Sequence, residues 1–373
     1  MSTTVAIVRG DDPQQLVAQA LELLGGIDKF VSPGDVVLIK PNSFVKQVPA
    51  NGNVTRPDLV IALAAMVRDA GAKRVVIGER NEGAVRANFE GTGVEKVAEL
   101  MPFDSAEHAT VTIPDAEALH VPLTVPKILL DCDKHITVPV AKTHCGAGVT
   151  ACLKNAMGLM IGTETTKSHA YGICNVPIDV NSLKWPVLGL ADMTISQEGN
   201  FPGAGGVPVP VGVVVAGPDI VAVDATCARI MGYDPNDVWI IRNAARRGKG
   251  VLDEAQIQIV GESLASVLHP MTGVVFDPTE FGDRVNFCVD LRCRYCAQDA
   301  TSFLRTREGQ ALLEKLGRLN VVAGPVREPQ LDPSAPTLVV GNCNAWLMDQ
   351  GAFAHGCPPA VWQIAARAKA SFR

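Results

Sequence analysis

The sequence predicts an α/β protein: a doubly wound, mostly parallel sheet followed by a small cysteine-rich α+β domain. Three observations carry this. Short β-branched runs alternate with amphipathic helical stretches over the first 250 or so residues. The strands read as continuous apolar runs, as strands buried on both faces do. Five of the ten cysteines fall after residue 280, where the alternation gives way to a different pattern. The boundary expected there separates an α/β body, residues 1–280, from a cysteine-rich tail, residues 281–373.

In chain order, "TVAIV" is the first strand, and a helix opens after it at Asp12-Pro13. "GDVVLIKPN" is the second strand. In "TRPDLVIALAAMVRDAGAK" Leu59, Leu63, Met66, Val67 and Ala70 share one helical face. Thr55 is expected to cap that helix, Pro57 suits its first turn, and Gly71 suits its stop. "RVVIG" then closes a βαβ unit. "HITVPV", "LADMTI" and "VGVVVAG" read as further strands, and "VTACLKNAMGLM", "DIVAVDATCARIMGY" and "PNDVWIIRNAARR" as helices. "GNFPGAGGVPVP" reads as a loop. Helices on both faces of such a sheet give Rossmann-like layers.

An apolar fraction of 47% with 19% charged residues supports a large core and excludes a disordered chain. A net charge of -6 without a Lys/Arg run argues against nucleic acid as a partner. The start, "MSTTVAIVRGDD", has no basic head before a long apolar segment, and no apolar run approaches the ~18 residues of a membrane span. A cytoplasmic location without membrane contact is therefore expected. Cysteines in that compartment serve as core thiols, metal ligands or redox groups rather than as disulfides.

Open α/β sheets bind ligands outside the carboxyl ends of their strands. Polar residues gather at those ends here: Lys40 and Asn42 after the second strand, Glu79 after the third, Lys142 and His144 after "HITVPVA", and Glu198 after "LADMTISQ". Lys154 and Asn155 lie at a helix start behind the glycine-containing loop "KTHCGAGVT". Cationic and amide groups in this pattern suit a carboxylate or phosphate. Lys40, Glu79, Lys142, His144 and Glu198 are the candidate catalytic residues, and Asn42, Lys154 and Asn155 the candidate substrate-binding ones. No dinucleotide fingerprint, P-loop, G-x-S-x-G elbow or H-E-x-x-H motif is present.

The stretch "NFCVDLRCRYCA" places Cys288 on a strand, facing away from Cys293 if the strand persists. Cys293 and Cys296 form a C-x-x-C whose sulfurs can reach one metal centre. Cys343 in "VVGNCNAW" and Cys357 in "AHGCPPAV" are set in glycine and proline turns. Four thiolates from three separated segments suit a [4Fe-4S] cube better than a zinc ribbon, which usually takes two C-x-x-C knuckles; zinc is the alternative metal. Cys288, Cys293 and Cys296 also match the plant-type [2Fe-2S] spacing, but with bulky residues between them, so Cys288 is a further candidate ligand.

"LIKPN", "TRPDLV", "RVVIGE", "VPVAKTH", "ACLKNAMG", "ISQEGN" and "DIVAVDATCARIMGYDP" follow one another over about residues 35–245. In order and spacing they resemble the bacterial and archaeal family called domain of unknown function 362. That resemblance implies iron-sulfur cysteines in the tail, often in a ferredoxin-like segment. It also implies functional roles for the residues that match the family's polar motifs: Lys40, Asn42, Glu79, Lys142, His144, Lys154, Asn155, Glu198 and Asp224. Asp224 falls inside a helix, where a structural role is an equal alternative. The tail lacks the ferredoxin run C-x-x-C-x-x-C-x-x-x-C-P and is similar to a branch ending in "GNC" and "GCPP".

The sequence thus leads to the expectation of an iron-sulfur-dependent redox enzyme acting on a small anionic substrate. The alternatives are a lyase or dehydratase using the cluster as a Lewis acid, a non-catalytic electron-transfer protein, and a zinc-stapled binding protein. A redox partner protein and a second copy of the chain are the macromolecular partners compatible with this reading.

Overall fold

A computed structural model describes residues 2–46, 48–199, 206–273, 276–290 and 295–372. The body begins with β1 (Thr3–Arg9), β2 (Val36–Pro41), β3 (Arg74–Glu79) and β4 (Glu99–Pro102). A hairpin of β5 (His108–Val111) and β6 (Leu123–Pro126) precedes β7 (Lys134–Val138). The antiparallel pair β8 (Lys142–His144) and β9 (Gly148–Thr150) precedes β10 (Leu188–Met193). Another pair, β11 (Ser196–Glu198) and β12 (Val207–Val209), precedes β13 (Val213–Gly217) and β14 (Ile257–Gly261).

Eight of these strands form one sheet in the order β14-β1-β13-β10-β7-β2-β3-β4. Only β13 runs against its neighbours, β1 and β10, so the other seven send their carboxyl ends to one edge. From β2 the chain moves outward through β3 to β4, whereas from β7 it moves the other way to β10. The seam between β2 and β7 is therefore the switch point at which sheets of this kind place ligands.

Alternation along the strands feeds two layers. Val37 and Ile39 of β2 pack with the helices Pro13–Leu23 and Pro57–Asp69, while Leu38 packs with Leu123 and Val125 of β6 on the other face. Val5 and Ile7 of β1 meet the helix Ile220–Ile230. That helix is buried almost all round, which explains why its sequence shows so little amphipathic contrast.

Several local expectations shift. The strand sought in "LADMTI" begins two residues earlier, at Leu188. "VPV" of the expected loop pairs as β12 with β11, and residues 200–205 of that stretch lie outside the described residues. The helix expected over "VTACLKNAMGLM" shortens to Cys152–Asn155 followed by a 3-10 turn, Ala156–Leu159. Thr55 does not cap its helix. Its hydroxyl accepts from Asn42 N at 2.9 Å and donates to Val138 O at 2.7 Å, tying the ends of β2 and β7 together. Asp192 Oδ2 instead receives the N–H of Arg56, at the helix N-cap, at 3.1 Å.

Asp224 answers the question raised by its place within a helix. Its two oxygens accept from Cys152 N at 2.7 Å and Leu153 N at 3.0 Å, satisfying the first turn of the short helix that carries Lys154 and Asn155. Burial pushes its carboxyl up to about 7.

The tail contains β15 (Val285–Val289), β16 (Leu319–Ala323), β17 (Thr337–Val340) and β18 (Ala352–Ala354), paired in that order and all parallel. The strands and helices expected there thus assemble as a second, smaller parallel sheet. The helices Tyr295–Arg305 and Val361–Ser371 cover one face of it together with Cys296, and Cys288 packs on the opposite face with Val322, Val339 and Leu347. No helix among the described residues is long and apolar enough to cross a membrane.

Removing the Asp224 carboxylate leaves two buried N–H groups without an acceptor. Asp224→Ala is expected to cost about 1–3 kcal/mol in urea denaturation, with Asp224→Asn, which keeps one acceptor, losing less. An unchanged midpoint for Asp224→Ala would contradict this assignment.

Candidate functional site

At the β2/β7 seam the chain buries an ion pair. Lys40 Nζ lies 2.5 Å from Glu79 Oε2 and also donates to Asn155 Oδ1 and to Pro41 O, each at 3.0 Å. Asn155 returns the contact, donating through Nδ2 to Lys40 O at 3.0 Å and to Thr137 Oγ1 at 2.9 Å. Glu79 Oε1 accepts from Arg80 N at 2.8 Å. Burial holds the Lys40 ammonium below its ordinary range, with Glu79 opposing that shift. A Cβ at Gly158 would collide with Glu79 Oε1 and Lys40 Nζ, so the 3-10 turn approaches this closely only because residue 158 is glycine.

Beside the pair lies a hollow of about 140 Å³, with Asn42, Phe44, Lys142, His144 and Lys154 among its lining residues. Lys142 Nζ donates to Asn53 O at 2.7 Å and to Asn53 Oδ1, and lies 5.4 Å from the centroid of the Phe44 ring. Asn42 Nδ2 donates to the same Asn53 carbonyl at 3.2 Å, so Asn42 braces the loop that receives Lys142. Burial and then Lys154 push Lys142 down to about 7. Lys154 has no hydrogen-bond or ion-pair partner among the described residues; burial brings it down to about 8, with Cys145 and Cys174 opposing.

His144 is held neutral, its pKa driven well down by burial and then by Lys154. Its Nδ1 accepts from Gly146 N at 3.0 Å, which leaves the ring proton on Nε2. Cys145, its neighbour, is no thiolate: burial and then Asp299 push the thiol well up. Cys132, Cys152, Cys174 and Cys227 are buried thiols of the core.

The structure therefore brings Lys40, Asn42, Glu79, Lys142, His144, Lys154 and Asn155 together at one sheet edge. Glu198 is not among the residues lining the hollow; its Oε2 accepts from Thr272 N at 2.6 Å.

The tail turns its own carboxyl edge toward this place. Cys296, buried in the first turn of its helix, faces Gly341: a Cβ there would sit 2.6 Å from Cys296 Sγ, and φ is +95°. Gly341 and Asn342 follow β17, and their N–H groups donate to Ala354 O at 3.0 Å and Gly356 O at 2.9 Å in the stretch after β17's neighbour, β18. The loops bearing Cys343 and Cys357 are thus joined. Cys343 is exposed; the Cys357 thiol is pushed up by burial and then by Cys343. Cys293 lies outside the described residues. Cys288, the further candidate, donates to Gln330 O at 3.2 Å on the face away from Cys296.

Sequence reasoning missed Asp299, whose carboxyl is buried against Cys145 and pushed up to about 7 by that burial. Gln298, Asp299, Thr301 and Ser302 form a polar stretch that reads as a solvated helix face, yet all four are buried. It also missed Asn53 and His169, which sit in loop and helix stretches without any chemical motif.

Three comparisons bear on kinship. The chain is 30% identical over 239 residues, 61% of its length and 73% of the relative's, to the thylakoid-associated protein sll1697 of Synechocystis sp. (strain ATCC 27184 / PCC 6803 / Kazusa). Among solved structures it resembles the lactate racemase apoprotein from Thermoanaerobacterium thermosaccharolyticum, with 12% identity, a TM-score of 0.36 and coverage of 56% of this chain and 54% of that one. It also resembles a protein from Thermotoga maritima, with 12% identity, a TM-score of 0.38 and 59% of each chain covered. The chain thus spans less than two thirds of either structure's length. The family model described as "Domain of unknown function (DUF362)" matches residues 37–229, the stretch that builds the switch-point hollow, and the chain belongs to that family.

Proposed function

We propose that this protein is an iron-sulfur-dependent redox enzyme that binds a small carboxylate or phosphate in the hollow at the β2/β7 seam. The observation that carries the reading is the meeting of two carboxyl edges. One bears Lys142, His144 and Lys154; the other bears Cys296, Cys343 and Cys357. Cys357 N donates to His169 O at 2.8 Å and Ile173 N donates to Cys357 O at 3.1 Å, so the cysteine loop is fastened to the body beside the hollow.

The donor set fits a cluster. Thiolates are the ligands iron-sulfur centres take. Gly341 leaves bare the space in front of Cys296 Sγ that a side chain would fill. Cys293, Cys296, Cys343 and Cys357 would be the ligands, and Cys288 a core thiol. Bound there, the cluster would supply single electrons.

The remaining work falls to the chain's own groups. Lys154, lacking an internal partner, meets the anion's charge, and Lys142, already engaged by Asn53, adds a second cation behind it. His144, neutral, offers a hydrogen bond from Nε2–H. In this reading Lys40, Glu79 and Asn155 spend their hydrogen bonds on one another, so they position the wall rather than touch the substrate.

Two measurements test the proposal. Anaerobically purified protein should be brown and carry iron and sulfide; Cys296→Ser and Cys357→Ser should each lose most of the iron, whereas Cys288→Ser should retain it. Full iron in both ligand variants would contradict the assignment. The second measurement uses sulfate, whose charge is fixed across the range. Lys154 and Lys142 are charged below about 8 and about 7 and neutral above, so sulfate affinity by calorimetry should be highest near pH 6 and fall toward pH 9. Lys154→Met should weaken it by roughly tenfold or more at pH 6 and flatten the profile, and an unchanged profile would speak against Lys154.

A further inference from the structure

Next to the polar hollow lies a larger cleft of about 720 Å³, walled on one side by the body and on the other by the tail helices Tyr295–Arg305 and Val361–Ser371. That is within the roughly 300–1,000 Å³ of small-molecule sites. Phe44 and His144 belong to the walls of both spaces, so the cleft and the hollow adjoin. Most of the cleft wall is apolar: Phe303, Val361, Trp362, Ala365 and Ala366. Trp362 is 58% exposed, an apolar surface left facing the cleft.

Thr306, Glu308 and Lys369 also contribute to the cleft's walls, and one end of it is polar. His144, Cys145, His169 and Asp299 gather there, and Lys154 acts electrostatically on all four. Asp299 is 2% exposed, yet its Oδ1 has no hydrogen-bond partner among the described residues. A buried carboxyl oxygen left unpaired is costly unless something bound supplies the partner, and with its carboxyl pushed up to about 7 the protonated Asp299 can donate to an anionic head. An apolar trough ending in an unpartnered ammonium, neutral imidazoles and an unpaired carboxyl oxygen matches a ligand that is itself two-ended.

We infer that the cleft binds an organic anion with an extended apolar body, its charged head at the Lys154 end and its aliphatic or aromatic part along the helix Val361–Ser371. This rests on the anion-binding reading of the hollow and adds the substrate class: an amphiphilic acid or phosphate ester rather than a bare small acid. Charge complementarity decides against a neutral lipid, because the adjoining hollow is lined by Lys154 and Arg80, cations without a hydrogen-bond or ion-pair partner for their side chains among the described residues.

The test uses a series of phenylalkanoates, from phenylacetate to phenylhexanoate, against acetate, hexanoate and the matching phenylalkanols. Binding is followed by calorimetry on the full chain, with sulfate as the probe of the hollow alone. Lengthening the acid from acetate to the phenyl acids should tighten binding by roughly tenfold or more, and each acid should bind roughly tenfold or more tighter than its alcohol. Ala366→Trp fills the trough from an exposed position, so it should erase the gain from the phenyl group and leave sulfate affinity and iron content unchanged. Retained sulfate binding with no gain from the apolar body would overturn this inference alone; loss of sulfate binding as well would overturn the anion-site reading with it. A concentration-dependent dimer that Ala366→Trp disrupts would assign the trough to a second copy of the chain, and would also overturn it.

Discussion

The site depends on a short run of hydrogen bonds between the tail's cysteine loops and the body. Cys357 N to His169 O, Ile173 N to Cys357 O and Asn342 Nδ2 to Ala170 O clamp the cysteine loops onto the helix Thr165–Tyr171. Two of these contacts pair main-chain groups that would otherwise be left unpaired in a loop, and the third is donated by the Asn342 side-chain amide, so the docking geometry rests mainly on obligatory bonds. Because seven of the eight strands of the body sheet and all four of the tail sheet run parallel, the loops after those strands lie at one edge of each sheet. Fastening edge to edge is what places thiols, cations and the apolar trough around one space.

Within the body, the buried Lys40–Glu79 pair plays the corresponding role. A pair sealed this deeply adds little net stability, since desolvation offsets much of the attraction, but breaking it strands a charge. Its consequence is positional. Lys40 closes β2 and Glu79 closes β3, while Asn155 reaches in from the helix that Asp224 caps, so three elements are held in register at the switch point. With those groups saturated by one another, the cations lining the hollow that are left unengaged among the described residues are Lys154, one residue away on the same short helix, and Arg80, whose buried Nε has no partner. The order in which charges are paired inside the protein thus determines which are left for a ligand.

Much of this was legible in the sequence. Continuous apolar runs ending in polar residues marked β2, β3 and β7, and the strand-end rule then gathered Lys40, Asn42, Glu79, Lys142 and His144 correctly into one neighbourhood. Which of them pair with each other was not legible, because the Lys40–Glu79 contact joins residues 39 apart and depends on strand register. Thr55 was misread as a cap because a hydroxyl before Pro57 has that local signature, whereas tertiary partners on β2 and β7 claim it. Asp299 was invisible for the opposite reason: a polar stretch within a helix ordinarily means solvent, and here the two sheets close over it. Strand alternation set Cys288 against Cys293, which lies outside the described residues; that Cys288 and Cys296 pack on opposite faces of the tail sheet comes from the helix that carries Cys296 and was not legible.

If thiolates from three strand ends hold an iron-sulfur centre beside an anion bound at Lys154, the presence of one must be felt by the other. Electron paramagnetic resonance of the anaerobically purified, dithionite-reduced protein, recorded with and without sulfate, addresses both halves at once. A reduced-cluster signal whose shape shifts on adding sulfate is expected. A silent spectrum from a sample that contains zinc or no metal would contradict it.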